Sequence, residues 1–355
     1  MIYWLPCNSP QAASSRFYAY WPHKLLAIHG FPTALLRQPN RRLHDLTEIE
    51  GACLEWAARK ASIEDVYIFQ KVWGPRGLVL ADKLRKAGNI VVYAASDSRR
   101  DLEMARAANA CVASSTAIAN RLRNVNPDVA IAPEPVDCWV QPRERRFEDK
   151  SLLRVCWIGG EANQEHLLSR FKAEASGFPR SQLKVISIGR NADAKYEFSR
   201  LAILTADCDA FLVTASVNSE CSPNRIAQGW ALGLPVILEG AHPYSHLVMN
   251  GIDAVVIRDL CDLASACELL RAGLLRRGLA EAGFKRAQEA FADDTVARWW
   301  VEFFRERGWI GHCTNRRQAL PLRILRAVSQ LRTSWLTDMQ FWRRGDNQER
   351  FATSL

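Results

Sequence analysis

Glu220, Ser222, Asn224, Arg225 and Gln228 crowd into one short stretch of the run Ala215 to Leu238, ASVNSECSPNRIAQGWALGLPVIL. Ser222 is a residue type that caps helix starts, Pro223 suits a first helical position and Gly233 suits a helix end, so the stretch predicts a short helix opened by a polar loop. A helix start offers unpaired backbone N–H groups and a partial positive charge, which suits a phosphate or diphosphate. Arg225 adds a full charge there. Asn224 and Gln228, four apart, share a helix face, so Gln228 lies one turn below whatever binds at the tip. With the acid Glu220 in the loop, these groups can hold the sugar, the diphosphate and the ribose of a nucleotide-sugar. The same pattern also occurs as a buried turn in doubly wound proteins of other kinds.

These residues need strands to carry them. The apolar run Ala210 to Thr214 predicts a strand buried on both faces, and Leu234 to Leu238 the next one. Upstream, Ile2 to Leu5, Glu64 to Gln70, Asn89 to Ala94 and Cys111 to Ser114 read as strands, alternating with helical stretches such as Gly77 to Ala87 and Thr116 to Arg123. That alternation is what a parallel sheet requires, and ligands of such sheets bind beyond the carboxyl ends of the strands. Ser15 and Arg16 after the first strand, Lys71 after the second and Asp97 after the third are therefore expected to collect at the ligand end of the sheet, which the resemblance given below makes the acceptor side of a cleft.

Pro133, Glu134, Pro135, Val136 and Asp137 form a stiff segment, and the charged run Gln141 to Lys150 follows it. A linker is expected there. The alternation restarts with Arg154 to Ile158, the Gly159 and Gly160 turn, Leu183 to Ile188, Gly189 and Arg190, then the opening stretch, Ala254 to Ile257, and helices from Leu260 to Arg307. The expectation is an α/β chain with two doubly wound Rossmann-like domains facing a cleft. Its parts are residues 1–140, residues 151–312 as the nucleotide-binding half, and a basic tail, 313–355.

The length of 355 residues fits two domains, and a hydrophobic content of 48% is ordinary for globular proteins. No stretch approaches the ~20 apolar residues of a membrane span, and Met1 to Pro6 is too short for a signal peptide. A cytoplasmic location is the default expectation. The 10 Cys show no paired spacing, as in a reducing compartment, and zinc is not expected. The net charge is +9, and the tail from Cys313 to Leu355, with eight arginines and three acids, holds +5 of it. Within the tail, Leu322, Leu325, Val328, Leu331, Trp335, Met339 and Trp342 form a helical apolar stripe interleaved with Arg323, Arg326 and Arg332. That stripe suits an anionic membrane surface, on the inner face of the membrane, or a packing surface on protein; nucleic acid is not expected.

Asp207 and Asp209 spell DxD, a pattern able to hold a divalent cation, but they precede a strand, at the sheet end facing away from the ligand. His242 and His246 lack a third ligand. No metal and no cofactor are expected.

The run SECSPNRIAQGWALGLPVI, with Asp209 before it and HPYSHLVMNGIDAVVI after it, resembles the donor-binding half of GT-B glycosyltransferases, in particular the retaining "group 1" family. SSRFYAYWPHKLLAIHG, DVYIFQK, NIVVYAASD and PEPVD resemble, in order, pieces of the first half. The resemblance implies sugar transfer from a nucleotide-sugar donor to a glycan or lipid-linked acceptor, retaining and without metal. It implies Glu220 at the donor sugar, Asp97 orienting the acceptor hydroxyl, and Arg190, Gly159 and Gly160 with Ser222, Asn224 and Arg225 around the diphosphate. Two departures stand out. Gln228 replaces the second Glu, which in the family touches the ribose, and the loop Gly159 to Asn163 lacks the family's basic pair, leaving Arg225 and Arg190 to supply the charge. An inactive nucleotide-sugar-binding protein and a sugar-nucleotide epimerase of the same fold are the alternatives.

Overall fold

The computed structural model describes residues 1–39, 47–53, 55, 64–96, 102–175, 177–215 and 222–310. Residues Met1 to Trp309 form one compact unit containing two six-stranded sheets. The first has the order β2-β1-β3-β4-β5-β6 and uses β1 (Ile2–Pro6), β2 (Thr33–Leu35), β3 (Val66–Gln70), β4 (Ile90–Ala95), β5 (Ala110–Ala113) and β6 (Val129–Ile131). The second has the order β12-β11-β10-β7-β8-β9, from β7 (Val155–Gly159), β8 (Leu183–Ser187), β9 (Ala194–Lys195), β10 (Ala210–Val213), β11 (Val236–Glu239) and β12 (Ala254–Ile257). Every pairing in both sheets is parallel. The short edge strands β2, β6 and β9 were not expected from the sequence, because two or three residues carry no readable period.

Parallel strands are covered on both faces, and the second sheet shows how alternation achieves this. Val155 and Trp157 pack on one face with Leu167, Phe171, Val185 and Leu212, while Cys156 and Ile158 pack on the other with Phe211, Ile226, Trp230 and Val236. In each sheet the strand order reverses at one place, β1 against β3 and β7 against β10. Such a reversal opens a crevice at the strands' carboxyl ends, because the following helices depart to opposite faces.

The chain does not finish where the second sheet does. Helix Gly273–Phe291 packs on helix Asn224–Ala231, and after Ala292 helix Asp293–Glu306 packs on Trp21–Ile28 of the first half. Trp300 meets Trp4 edge-on at 5.2 Å, and Trp21 Nε1 donates to Asp293 at 2.9 Å. Among the described residues, no helix is long and apolar enough to cross a membrane. The tail, residues 313–355, lies outside the described residues.

Candidate functional site

Helix Asn224–Ala231 occupies the position the sequence predicts, immediately after β10. Its end is a Schellman cap: Gly233 N–H donates to Trp230 O at 3.0 Å and Leu234 N–H to Gly229 O at 3.3 Å, with Gly233 at φ +64. A side chain there would also strike the Val140 carbonyl, 2.6 Å from where a Cβ would sit. Its start differs from expectation. Pro223 is the N-cap, and Ser222 Oγ donates instead to the buried Glu134 Oε2 at 2.6 Å. A carboxylate is a stronger acceptor than Ser222 is a cap, so the hydroxyl is drawn away from the helix. The first turn bond runs from Ala227 N–H to Pro223 O, and helix geometry leaves the N–H groups of Asn224, Arg225 and Ile226 for other partners.

A cavity of about 160 Å³ lies at the second sheet's point of strand reversal. Gly159 and Gly160 from the end of β7 line it together with Asn224, Arg225 and Gln228. Phe17, Ala13 and Gln11 from the first half line it too, with Ile158, Leu201 and Phe211 as apolar members. The Arg225 guanidinium lies 5.5 Å from the centre of the Trp157 ring. That ring passes beneath Gly159, so closely that a Cβ on Gly159 would be 2.0 Å from it, whereas a Cβ on Gly160 would meet open space. Buried His242 is pushed down to about 4 by its burial and then by the field of Arg225.

The linker is the part of the site the sequence does not reveal. Gln228, 8% exposed, accepts the Asp137 N–H at Oε1 (3.0 Å) and donates from Nε2 to the Cys138 carbonyl (3.3 Å). Gln228 therefore holds the linker, and it also lines the cavity where it was expected to meet the ligand. The contact continues along the helix: Val140 N–H donates to Ala231 O at 2.8 Å, and Arg145 Nε to Leu232 O at 2.6 Å. Together with Glu134 on Ser222, the linker runs beside the helix from end to end.

On its other side the linker is tied to the first half. Arg16, expected on the acceptor side, is fully buried and grips Asp137 with Nε on Oδ1 (2.6 Å) and Nη2 on Oδ2 (2.7 Å). It also donates to the Pro10 and Gln11 carbonyls and to Tyr196 Oη, and lies 4.3 Å over the Phe198 ring. Burial alone would lower its pKa, but Asp137 and Tyr196 override this and hold it above the ordinary value. Tyr196 is held above its own by burial and by Asp137. Ser15 also turns inward, donating to Gln70 Oε1 at 2.8 Å. Lys71 is 4% exposed with φ +54, an unusual backbone for a side chain of its size, and its N–H bonds Ala94 O. These three residues follow strands as expected, but the helix and strand ends around them close over their side chains.

Arg190 is exposed and outside the cavity lining. Glu220 and Asp97 lie outside the described residues. Asp207 is taken by Arg154 and Lys184, and Asp209 by Lys150, at the amino end of β10. Among the described residues, no group of three acids, His or Cys is placed to hold a metal. Asp137 sits in the PEPVD segment, where two prolines flag a rigid turn. Tyr196 follows the short edge strand β9, and no signal in the sequence marks it.

No family model and no curated protein matches the sequence. Solved structures do match the fold. HepE from Anabaena, in complex with UDP and glucose, superposes with a TM-score of 0.59 at 14% identity, covering 86% of this chain and 99% of that one. Sucrose-phosphate synthase from Thermosynechococcus elongatus gives 0.55 at 13%, covering 86% and 98%. AviGT4, a glycosyltransferase involved in avilamycin A biosynthesis, gives 0.50 at 15%, covering 86% and 97%. The chain has the GT-B fold.

Proposed function

We propose that this chain is a glycosyltransferase that moves a sugar from a nucleotide-sugar donor to a glycan or lipid-linked acceptor, with retention and without a metal. One observation carries the reading: the cavity at the strand reversal of the second sheet is lined together by the first-turn residues Asn224 and Arg225 of a helix start and by the Gly159–Gly160 turn. That is the environment a diphosphate requires. Similarity in fold to HepE, solved with UDP and with UDP-glucose, supports it.

In this reading the bond from the anomeric carbon to the diphosphate oxygen breaks while the acceptor oxygen attacks from the same face. The leaving diphosphate takes the acceptor's proton. Asn224, Arg225 and Ile226 N–H groups, with the Arg225 charge, stabilise the diphosphate as it leaves, and cost no reorganisation because the helix already fixes them. Glu220 positions the donor sugar and Asp97 the acceptor hydroxyl. Nucleoside diphosphate release is measured over a panel of sugar nucleotides and acceptors; full activity of Glu220→Ala would sink the assignment.

Gln228's engagement by the linker and the absence of a basic pair after β7 favour a second reading, a nucleotide-sugar-binding protein that does not transfer. Thermal stabilisation by nucleotide without diphosphate release in the same panel selects it. For the tail, the proposal is an amphipathic segment for the anionic cytoplasmic face of a membrane.

A further inference from the structure

A second cavity, of about 610 Å³, lies at the amino end of the second sheet, the end away from the candidate donor site. Asp209, just ahead of β10, and Leu234, ahead of β11, line it, and the linker from Trp139 to Lys150 supplies much of the rest. Its size is that of small-molecule sites, roughly 300–1,000 Å³. Three acids and four cations are among its lining residues. The acids are accounted for. Lys150 takes Asp209 at 2.7 Å, Asp207 is held by Arg154 and Lys184, and Glu144 is exposed, where water screens its charge.

The three arginines are not. Partly buried Arg145 donates to neutral oxygens alone, from Nε to Leu232 O at 2.6 Å, from Nη1 to Thr205 O at 2.9 Å and from Nη2 to Thr205 Oγ1 at 3.1 Å. Two of its five N–H groups remain. Arg276, 0% exposed, gives Nη1 to the Leu270 and Arg271 carbonyls and Nη2 to the Glu148 carbonyl, and its Nε has no acceptor among the described residues. Arg146 is exposed beside them and enters no ion pair among the described residues. Leu232 and Leu270 end helices Asn224–Ala231 and Leu263–Leu269, so the negative ends of those helices offset part of the charge. The rest is uncompensated, because a guanidinium taken from water is costly until an anion meets it. Burial accordingly lowers the pKa of Arg145, against the fields of Cys156, Cys208, Cys138 and Asp209.

We propose that this cavity is a second ligand site, separate from the donor site, for a small organic anion: a phosphate or carboxylate group met by Arg145 and Arg146, on an apolar body covered by Trp139, Phe147, Ile203 and Leu234. The planar guanidinium matches the paired oxygens of either group. An inorganic anion gains the charge contact but leaves the apolar lining wet, so the organic ligand binds more tightly.

The test titrates the full chain with phenyl phosphate, benzoate, inorganic phosphate and phenol, followed by ligand-observed NMR. Phenyl phosphate or benzoate binds with a dissociation constant below about 1 mM, about tenfold or more tighter than inorganic phosphate or phenol, and the tighter of the two identifies the anionic group. Arg146→Glu reverses a charge, and Ala206→Phe places a ring at another exposed lining position; each weakens binding by about tenfold or more. Thermal melts like that of the unaltered protein show that both variants fold. Arg225→Gln and an excess of UDP change the affinity by less than about twofold, which separates this cavity from the donor site. Absence of binding by both organic anions at about 10 mM overturns the proposal. So does binding that UDP displaces, that Arg225→Gln abolishes, or that survives either cavity variant.

Discussion

Arg16 and Asp137, 121 positions apart, meet as a fork against a carboxylate, Nε on Oδ1 at 2.6 Å and Nη2 on Oδ2 at 2.7 Å, with side chains 0% and 6% exposed. Removing one partner strands the other charge in a dry site, a loss of about 3 kcal/mol or more. Arg16→Met is expected to lower unfolding free energy by that amount in denaturant titrations, and the double variant Arg16→Met/Asp137→Leu to recover much of it. A change under about 0.5 kcal/mol for Arg16→Met counts against the tie.

His242 supplies a pH dependence. Its folded pKa of about 4 lies below the ordinary value of 6.5, so between those limits the unfolded chain binds the proton more readily. Its contribution is fully present above pH 6.5 and is lost as pH falls toward 4, roughly 3 kcal/mol in all. His242→Phe should flatten the stability curve in that window. An unchanged slope between pH 6.5 and 4 would refute the assignment.

Arg225 is expected to carry binding more than folding. Arg225→Gln removes a charge-assisted contact to the diphosphate and should weaken nucleotide binding by about 10- to 100-fold, for every base alike. Loss restricted to one base would point to a role in base recognition instead.

Neighbouring glycines should respond in opposite ways. Gly159→Ala forces the Trp157 ring aside and is expected to cost about 1–3 kcal/mol in thermal or chemical melts, loosening Arg225's support as well. Gly160→Ala adds a methyl to open space at a φ of −76 and should melt like the unaltered protein. Equal stability of the two variants would contradict the described packing.

Truncation after His312 leaves the compact unit Met1 to Trp309 intact. Nucleotide affinity should persist in the truncated chain, and sedimentation with vesicles containing anionic lipid should be lost. Undiminished sedimentation assigns the membrane contact elsewhere.

The strands and the helix at Asn224 were legible because apolar runs and turn residues are local signals. The roles of Arg16 and Gln228 were not. Arg16 sits at a helix start after a strand, where exposed cations are common, and only the approach of Asp137 buries it. Gln228 looked like a weakened ligand because its spacing from Glu220 is local. The demand it meets, one N–H and one carbonyl on the linker, comes from residues 91 and 90 positions away. Bonds of that span leave no period in a sequence.

The return of helix Asp293–Glu306 to the first half has a mechanical consequence. Because Asp293–Glu306 belongs by its contacts to the first half, the chain, among the described residues, crosses between the halves twice, once through the linker near Asp137 and again at Ala292. An opening of the cleft would have to bend the chain at both crossings at once and part Arg16 from Tyr196.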